Sequence, residues 1–132
     1  MALFVTFEGG EGCGKSTQAK RLAARLQRSG YSVTLTYEPG GTPLGEELRR
    51  SLKKTRETDI APEAELLLFA AARAQLTQEI IRPALAQGGV VVCDRFSDST
   101  AAYQGFGREL PFDLVDRVNV IATQGLRPDL VV

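Results

Sequence analysis

The chain has no histidine and no tryptophan, only two cysteines, and no excess of charge of either sign, with 16 basic against 16 acidic side chains. Each absence closes off a class of chemistry. Without histidine there is no Ser-His or Cys-His nucleophile, no histidine-ligated zinc and no imidazole switch near neutral pH. Zero formal net charge leaves no electrostatic footprint for nucleic acid or for an anionic membrane surface. Cys13 and Cys93, far apart in the chain, do not make a disulfide framework. Every apolar run falls short of the roughly 20 residues that a membrane-spanning helix needs. The opening Met-Ala-Leu-Phe-Val-Thr-Phe has no basic leader and reads as a strand, so a reducing cytoplasm is the expected setting. What is present is 132 residues, 43% of them hydrophobic, enough for the core of one domain. The closing Pro128-Asp129-Leu130-Val131-Val132 reads as the middle of a strand, and the expectation is a chain cut short.

Strands and helices alternate along the chain. Residues 3–8 are short, apolar and rich in β-formers, and Gly9-Gly10 ends them. Residues 15–28 carry Ala19, Leu22, Ala23 and Leu26 at helical spacing, one buried face, with Gly30 after it. A second strand over 33–37 is broken by Pro39-Gly40-Gly41, and a helix is expected from about 45 to 53. A long apolar helix follows over 63–87, kinked at Pro83 and ended by Gly88-Gly89. Val90-Val91-Val92-Cys93 is a continuous apolar run, as in a strand covered on both faces. Helices at about 97–104 and 112–124 precede a last partial strand. This order predicts βαβ units: an α/β fold, a parallel sheet with helices on both faces. Lys20, Arg21, Arg25 and Arg28 read as a solvated helix face.

The strongest local signal is Gly9-Gly10-Glu11-Gly12-Cys13-Gly14-Lys15-Ser16, which matches G-x-x-x-x-G-K-[ST] between an apolar strand and an amphipathic helix. Glycines let backbone N–H groups turn inward around an anion, and the helix N-terminus adds its partial positive charge. Lys15 would neutralise the β- and γ-phosphates, and the Ser16 hydroxyl would ligate Mg²⁺, with Thr17 beside it. This predicts nucleoside triphosphate binding by Gly9, Gly10, Glu11, Gly12, Cys13, Gly14, Lys15, Ser16 and Thr17. Asp94, after four apolar strand residues, has the form of a Walker B carboxylate and is the second Mg²⁺ candidate, directly or through water. In a parallel sheet it would emerge at the same edge as the phosphate loop. Arg95 would then lie beside the phosphates, with a structural salt bridge as the plainer reading. Cys13 reads as a small loop residue, with no base nearby to make it reactive.

No Asn-Lys-x-Asp element for guanine occurs in the chain, which argues against a GTPase. Instead five motifs occur in order: Phe7-Glu8 leading into the phosphate loop and on to Ser16-Thr17-Gln18; Glu38-Pro39-Gly40-Gly41-Thr42-Pro43 with Leu48-Arg49; Phe69-Ala70-Ala71-Ala72-Arg73; Asp94-Arg95-Phe96 with Ala102-Tyr103-Gln104-Gly105; and Arg127-Pro128-Asp129-Leu130. Along essentially its whole length the chain resembles the thymidylate kinases. The resemblance implies a P-loop nucleoside-monophosphate-kinase fold and transfer of phosphate from ATP-Mg to dTMP, on the way to dTTP. It also implies a homodimer with neither a nucleic acid nor a membrane as partner.

Roles follow from the resemblance residue by residue. Phe69 would stack on thymine, and Arg73, one turn later on the same helix face, would hydrogen-bond a base carbonyl. From spacing alone, Phe69 reads as core packing, while an arginine on so apolar a helix demands a partner. Thr100 and Gln104 would sit at the polar edge of the base, and Tyr103 against the deoxyribose, with half-buried packing as its alternative. Arg49 and Arg95 would clamp the acceptor phosphate, a task suited to guanidinium groups; a solvated helix face is the other reading of Arg49. Glu11 would face the sugar 3′-hydroxyl. Glu38 would orient a clamp arginine or a metal-bound water. The loop carries no arginine, which resembles the bacterial branch, whose catalytic basic residues come from a mobile lid. The resemblance puts that lid, one more strand and the adenine-contacting loop after Val132. Lys15, Asp94 and Arg95 are therefore the catalytic candidates within the chain. Another P-loop nucleotide kinase is the nearest alternative, and a non-catalytic P-loop binding module is a further one.

Overall fold

The computed structural model describes residues 2–9, 14–54, 57–97 and 107–132. They form β1 (Leu3–Phe7), α1 (Lys15–Arg28), β2 (Val33–Tyr37), α2 (Pro43–Lys53), α3 (Pro62–Leu76), α4 (Arg82–Ala86), β3 (Val90–Asp94), α5 (Phe112–Thr123) and β4 (Leu130–Val131), with a π-helical segment, Thr77–Ile81, joining α3 to α4. The strands make one parallel sheet in the order β2-β3-β1-β4. Leu3 lies opposite Val90 and Phe7 opposite Asp94, so β1 and β3 end at the same edge.

Alternation along the strands divides the core in two. Val5, Phe7, Val90 and Val92 pack on one face against Ala19 and Ala23 of α1. Phe4, Val91 and Cys93 pack on the other against Leu76, Ile81 and Phe96. All of these are buried, which explains why the 90–93 run contains no polar residue.

Two expected boundaries shift for local reasons. The helix expected from about residue 45 starts at Pro43, because Thr42 caps it: its Oγ1 accepts from the Gly45 N–H at 2.8 Å. The helix expected to kink at Pro83 stays helical but changes winding before the proline, with the Arg82 N–H reaching back to the Thr77 carbonyl. A wider turn accommodates a residue that has no N–H to give and whose ring crowds the preceding turn. The helix expected at 97–104 lies outside the described residues except for Ser97.

Leu76 closes α3 on the core with no exposed surface. Leu76→Ala is expected to cost about 2–5 kcal/mol, measured by urea unfolding of the intact protein.

Candidate active site

The described ends of the phosphate-loop motif are Gly9, after β1, and Gly14, at the start of α1. Gly14, at φ 79°, is the N-terminal cap of α1, and an added Cβ there would meet nothing within 4 Å. Glycine is required at this position by conformation rather than by space. Lys15 and Ser16 follow in the first turn. Lys15 Nζ lies 2.8 Å from Asp94 Oδ1, and Ser16 Oγ donates to Asp94 Oδ2 at 2.5 Å. The lysine contact is an ion pair without good hydrogen-bond direction. The matched ends of β1 and β3 thus bring together the two halves of the expected phosphate and metal site. Thr17 is exposed on the first turn of α1. Gly9 is exposed at φ 147°, whereas Gly10, Glu11, Gly12 and Cys13 lie outside the described residues.

Beyond Asp94 the chain turns sharply. Arg95 takes φ 74°, and its N–H donates to the Phe7 carbonyl at 2.8 Å. The next N–H, on Phe96, is received by the two Glu8 carboxylate oxygens at 3.1 and 3.2 Å. Cys93 is buried, its thiol donates to the Arg95 carbonyl at 3.0 Å, and burial pushes its pKa well above 9.0, so it is no nucleophile.

The second cluster surrounds Arg73, which is only 1% exposed. Its Nε donates to Glu38 Oε1 at 2.7 Å, and its Nη2 lies 2.6 Å from the same oxygen. Nη2 also donates to the Phe96 carbonyl at 3.1 Å, and Nη1 donates to Asn119 Oδ1 at 2.7 Å. The guanidinium carbon stands 5.5 Å from the centre of the Phe96 ring. Glu38 therefore pairs directly with Arg73, a partner outside the expected clamp of Arg49 and Arg95. Its Oε2 is buried without a hydrogen-bond partner among the described residues. Burial raises the Glu38 pKa above the usual 4.5, Arg73 pulls it back, and the nearby Glu8 charge raises it further. Phe69, one turn before Arg73, is half-buried and belongs to neither apolar cluster.

Arg49 reaches back from α2. Its Nη1 donates to the Pro39 carbonyl at 2.8 Å, and its guanidinium carbon is 5.5 Å from the Tyr37 ring centre. The Tyr37 hydroxyl bonds Glu46, whose Oε1 also accepts from Gly41 N–H at 3.1 Å. These bonds hold the Glu46 carboxyl below its ordinary range, with the tyrosine contributing most. The Glu38–Pro39 peptide is cis, and a Cβ on Gly41 would come within 2.6 Å of Thr36 Oγ1. Thr100, Tyr103 and Gln104 lie outside the described residues. Sequence reasoning missed Glu8 and Asn119 as site residues. Asn119 had a signal: it interrupts an apolar stripe with Val115 and Ala122, all three buried.

A phosphate loop, a carboxylate at the neighbouring strand edge and a parallel sheet flanked by helices define a P-loop nucleoside-monophosphate-kinase fold. The family model for thymidylate kinase matches residues 7–132. The chain is similar over its full length to the thymidylate kinases of Geobacter sulfurreducens and Dehalococcoides mccartyi, 53% identical to each. It is 56% identical over 128 residues to that of Gloeobacter violaceus. The crystal structure of the Ehrlichia chaffeensis thymidylate kinase matches 98% of the chain and 73% of its own, with a TM-score of 0.91 at 43% identity. The chain belongs to the thymidylate kinase family. It spans 62% and 64% of the length of the first two relatives.

Because folding raises the Glu38 pKa, the folded state binds this proton more tightly than the unfolded chain. The resulting stability is present below pH 4.5 and is lost as pH rises through the folded value. The unfolding free energy of wild type minus that of Glu38→Gln is therefore expected to fall as pH rises from 4.5, as measured by denaturant titration at a series of pH values.

Proposed function

We propose that the protein phosphorylates dTMP at the expense of ATP, giving dTDP and ADP. The observation that carries this reading is the meeting of Lys15, Ser16 and Asp94 at one strand edge, in a chain of this family. Arg73 and Phe69, one turn apart on α3, support dTMP as the acceptor: one offers a donor to the base and the other a flat apolar face. Thr100, Tyr103 and Gln104 complete the proposed base and sugar contacts, and Glu11 the contact to the 3′-hydroxyl.

The acceptor is a phosphate monoester with a second pKa of about 6, so its oxygen arrives mostly deprotonated at pH 7. A general base is unnecessary, and the absence of histidine costs nothing. The obstacle is the approach of two anions, so positioning and charge neutralisation carry the rate. Lys15 exchanges Asp94 for the donor phosphates, the loop amides line them, and Arg49 and Arg95 hold the acceptor phosphate. Ser16 Oγ and Asp94 Oδ2 converge as two hard oxygen donors, which suits Mg²⁺ completed by water and phosphate. When bound, Mg²⁺ neutralises phosphate charge.

We further propose a cytoplasmic homodimer. Among the described residues no helix is long and apolar enough to cross a membrane. Leu67 of α3 and Val120 and Ile121 of α5 are 60%, 46% and 76% exposed, and a second copy would cover them.

The test is ADP formation by the intact protein with dTMP, dUMP, dCMP and AMP as acceptors, where the expected result is a clear preference for dTMP. Lys15→Ala is expected to lower kcat by about a hundredfold or more. Arg73→Lys is expected instead to act mainly on the KM for dTMP. Equal, small effects of the two substitutions would contradict both assignments.

A further inference from the structure

The described residues of α5 supply one polar group to the site, the Asn119 side chain. It is 8% exposed on a stripe where Val115 and Ala122 are also buried. A leucine would pack there without the cost of desolvating an amide. The amide is satisfied in one orientation only. Arginine has donors and no acceptor, so the oxygen must face Arg73 Nη1, at 2.7 Å. The nitrogen then faces the Ser97 carbonyl at 3.4 Å, at the start of the segment that leads to Thr100, Tyr103 and Gln104.

The bond fixes the last corner of the guanidinium. Glu38 holds the Nε edge, the Phe96 carbonyl holds Nη2 and the Phe96 ring lies against the cation. With Asn119 on Nη1, one N–H of Nη1 has no acceptor among the described residues, and its direction is set by the other contacts. We propose that Asn119 is a positioning residue for acceptor recognition: its oxygen orients Arg73 so that this remaining N–H addresses a carbonyl of the acceptor base. The proposal rests on the reading that Arg73 faces the acceptor nucleotide. Asn119 itself touches no substrate. It acts through Arg73 and joins α5 to α3 at the base-reading end of the site.

The experiment is a double-mutant cycle in the intact protein, with Asn119→Leu, Arg73→Lys and their combination. Thermal unfolding, kcat, the KM for ATP and the KM for dTMP are measured for each. Leucine keeps the branched shape and removes the oxygen. Loss of a hydrogen bond to a charged group at this site is expected to raise the KM for dTMP by about tenfold. The kcat and the KM for ATP are expected to stay within about twofold. Once Arg73→Lys has removed the guanidinium, adding Asn119→Leu is expected to raise the KM for dTMP by less than about twofold more. A lowered Tm with an unchanged KM for dTMP would overturn the proposal and leave Asn119 a packing residue. An equal rise with and without Arg73 would overturn it too. If Arg73→Lys itself leaves the KM for dTMP unchanged, the base-facing reading of Arg73 falls, and the proposal with it. Should Asn119→Leu fail to fold, Asn119→Ala removes the same oxygen without adding bulk and is judged by the same four quantities.

Discussion

Everything at the site depends on the register of one strand pair. Phe7 lies opposite Asp94 in a parallel ladder that begins with Leu3 opposite Val90. Parallel pairing brings the two carboxyl ends to one edge, and the register fixes how far each strand projects there. A slip of one residue would exchange Val90 and Val92 with Val91 and Cys93 between the two apolar clusters. It would also move the Asp94 carboxylate away from Lys15 and Ser16. The apolar packing that stabilises the sheet and the geometry of the phosphate site are thus set by the same constraint. The turn after Asp94 depends on it as well, because the Arg95 N–H bonds the carbonyl of Phe7.

The buried pair of Arg73 and Glu38 has a different standing. Burying two charges brings little net stability, since their desolvation offsets much of the attraction. Removing one partner is costly, because a lone charge is left inside. The pair is better understood as a means of fixing a direction. Arg73 is held from α3 by the loop after β2, by the turn after β3 and by α5, which are separate parts of the chain. A guanidinium held at three corners keeps its plane, which a lysine in the same place could not do.

The sheet, α1 and the glycine at its start could be read from the sequence because each has a local cause: alternation, helical spacing, or a glycine at a fixed offset. Residues 90–93 announced a strand covered on both faces because nothing in them is polar. The partner of Arg73 could not be read this way. Composition required that a buried arginine have an acceptor, but Glu38 is 35 residues away and Asn119 is 46. Only packing of the helices and loops selects them among the carboxylates and amides available. The resemblance, which assigned Glu38 to a clamp arginine or a metal-bound water, likewise gave no sign of its pair with Arg73. The π-helical segment before Pro83 also escaped, because proline marks where a helix must adjust but not whether it kinks or rewinds.

Zero net charge gains a meaning from these pairings. Lys15 rests on Asp94, Arg73 on Glu38, and Arg49 over Tyr37 against the Pro39 carbonyl. The cations proposed to face phosphate or base are held in place by internal partners instead of extending into water. A pre-positioned cation loses little conformational freedom when an anion arrives, since its side chain is already ordered. It must, however, give up an existing partner, so only a ligand bearing more charge than one carboxylate, or offering more contacts, can displace that partner. Lys15 and Arg73 differ in this respect. The Lys15 pair is partly open, at 10% and 16% exposure, and a polyphosphate outweighs the single carboxylate it replaces. The Arg73 pair, at 1% and 4%, is sealed, and a neutral base carbonyl could not displace Glu38 from it. Under the proposed function, one cation would change partners and the other would keep them, as neutralising charge and reading a base respectively require.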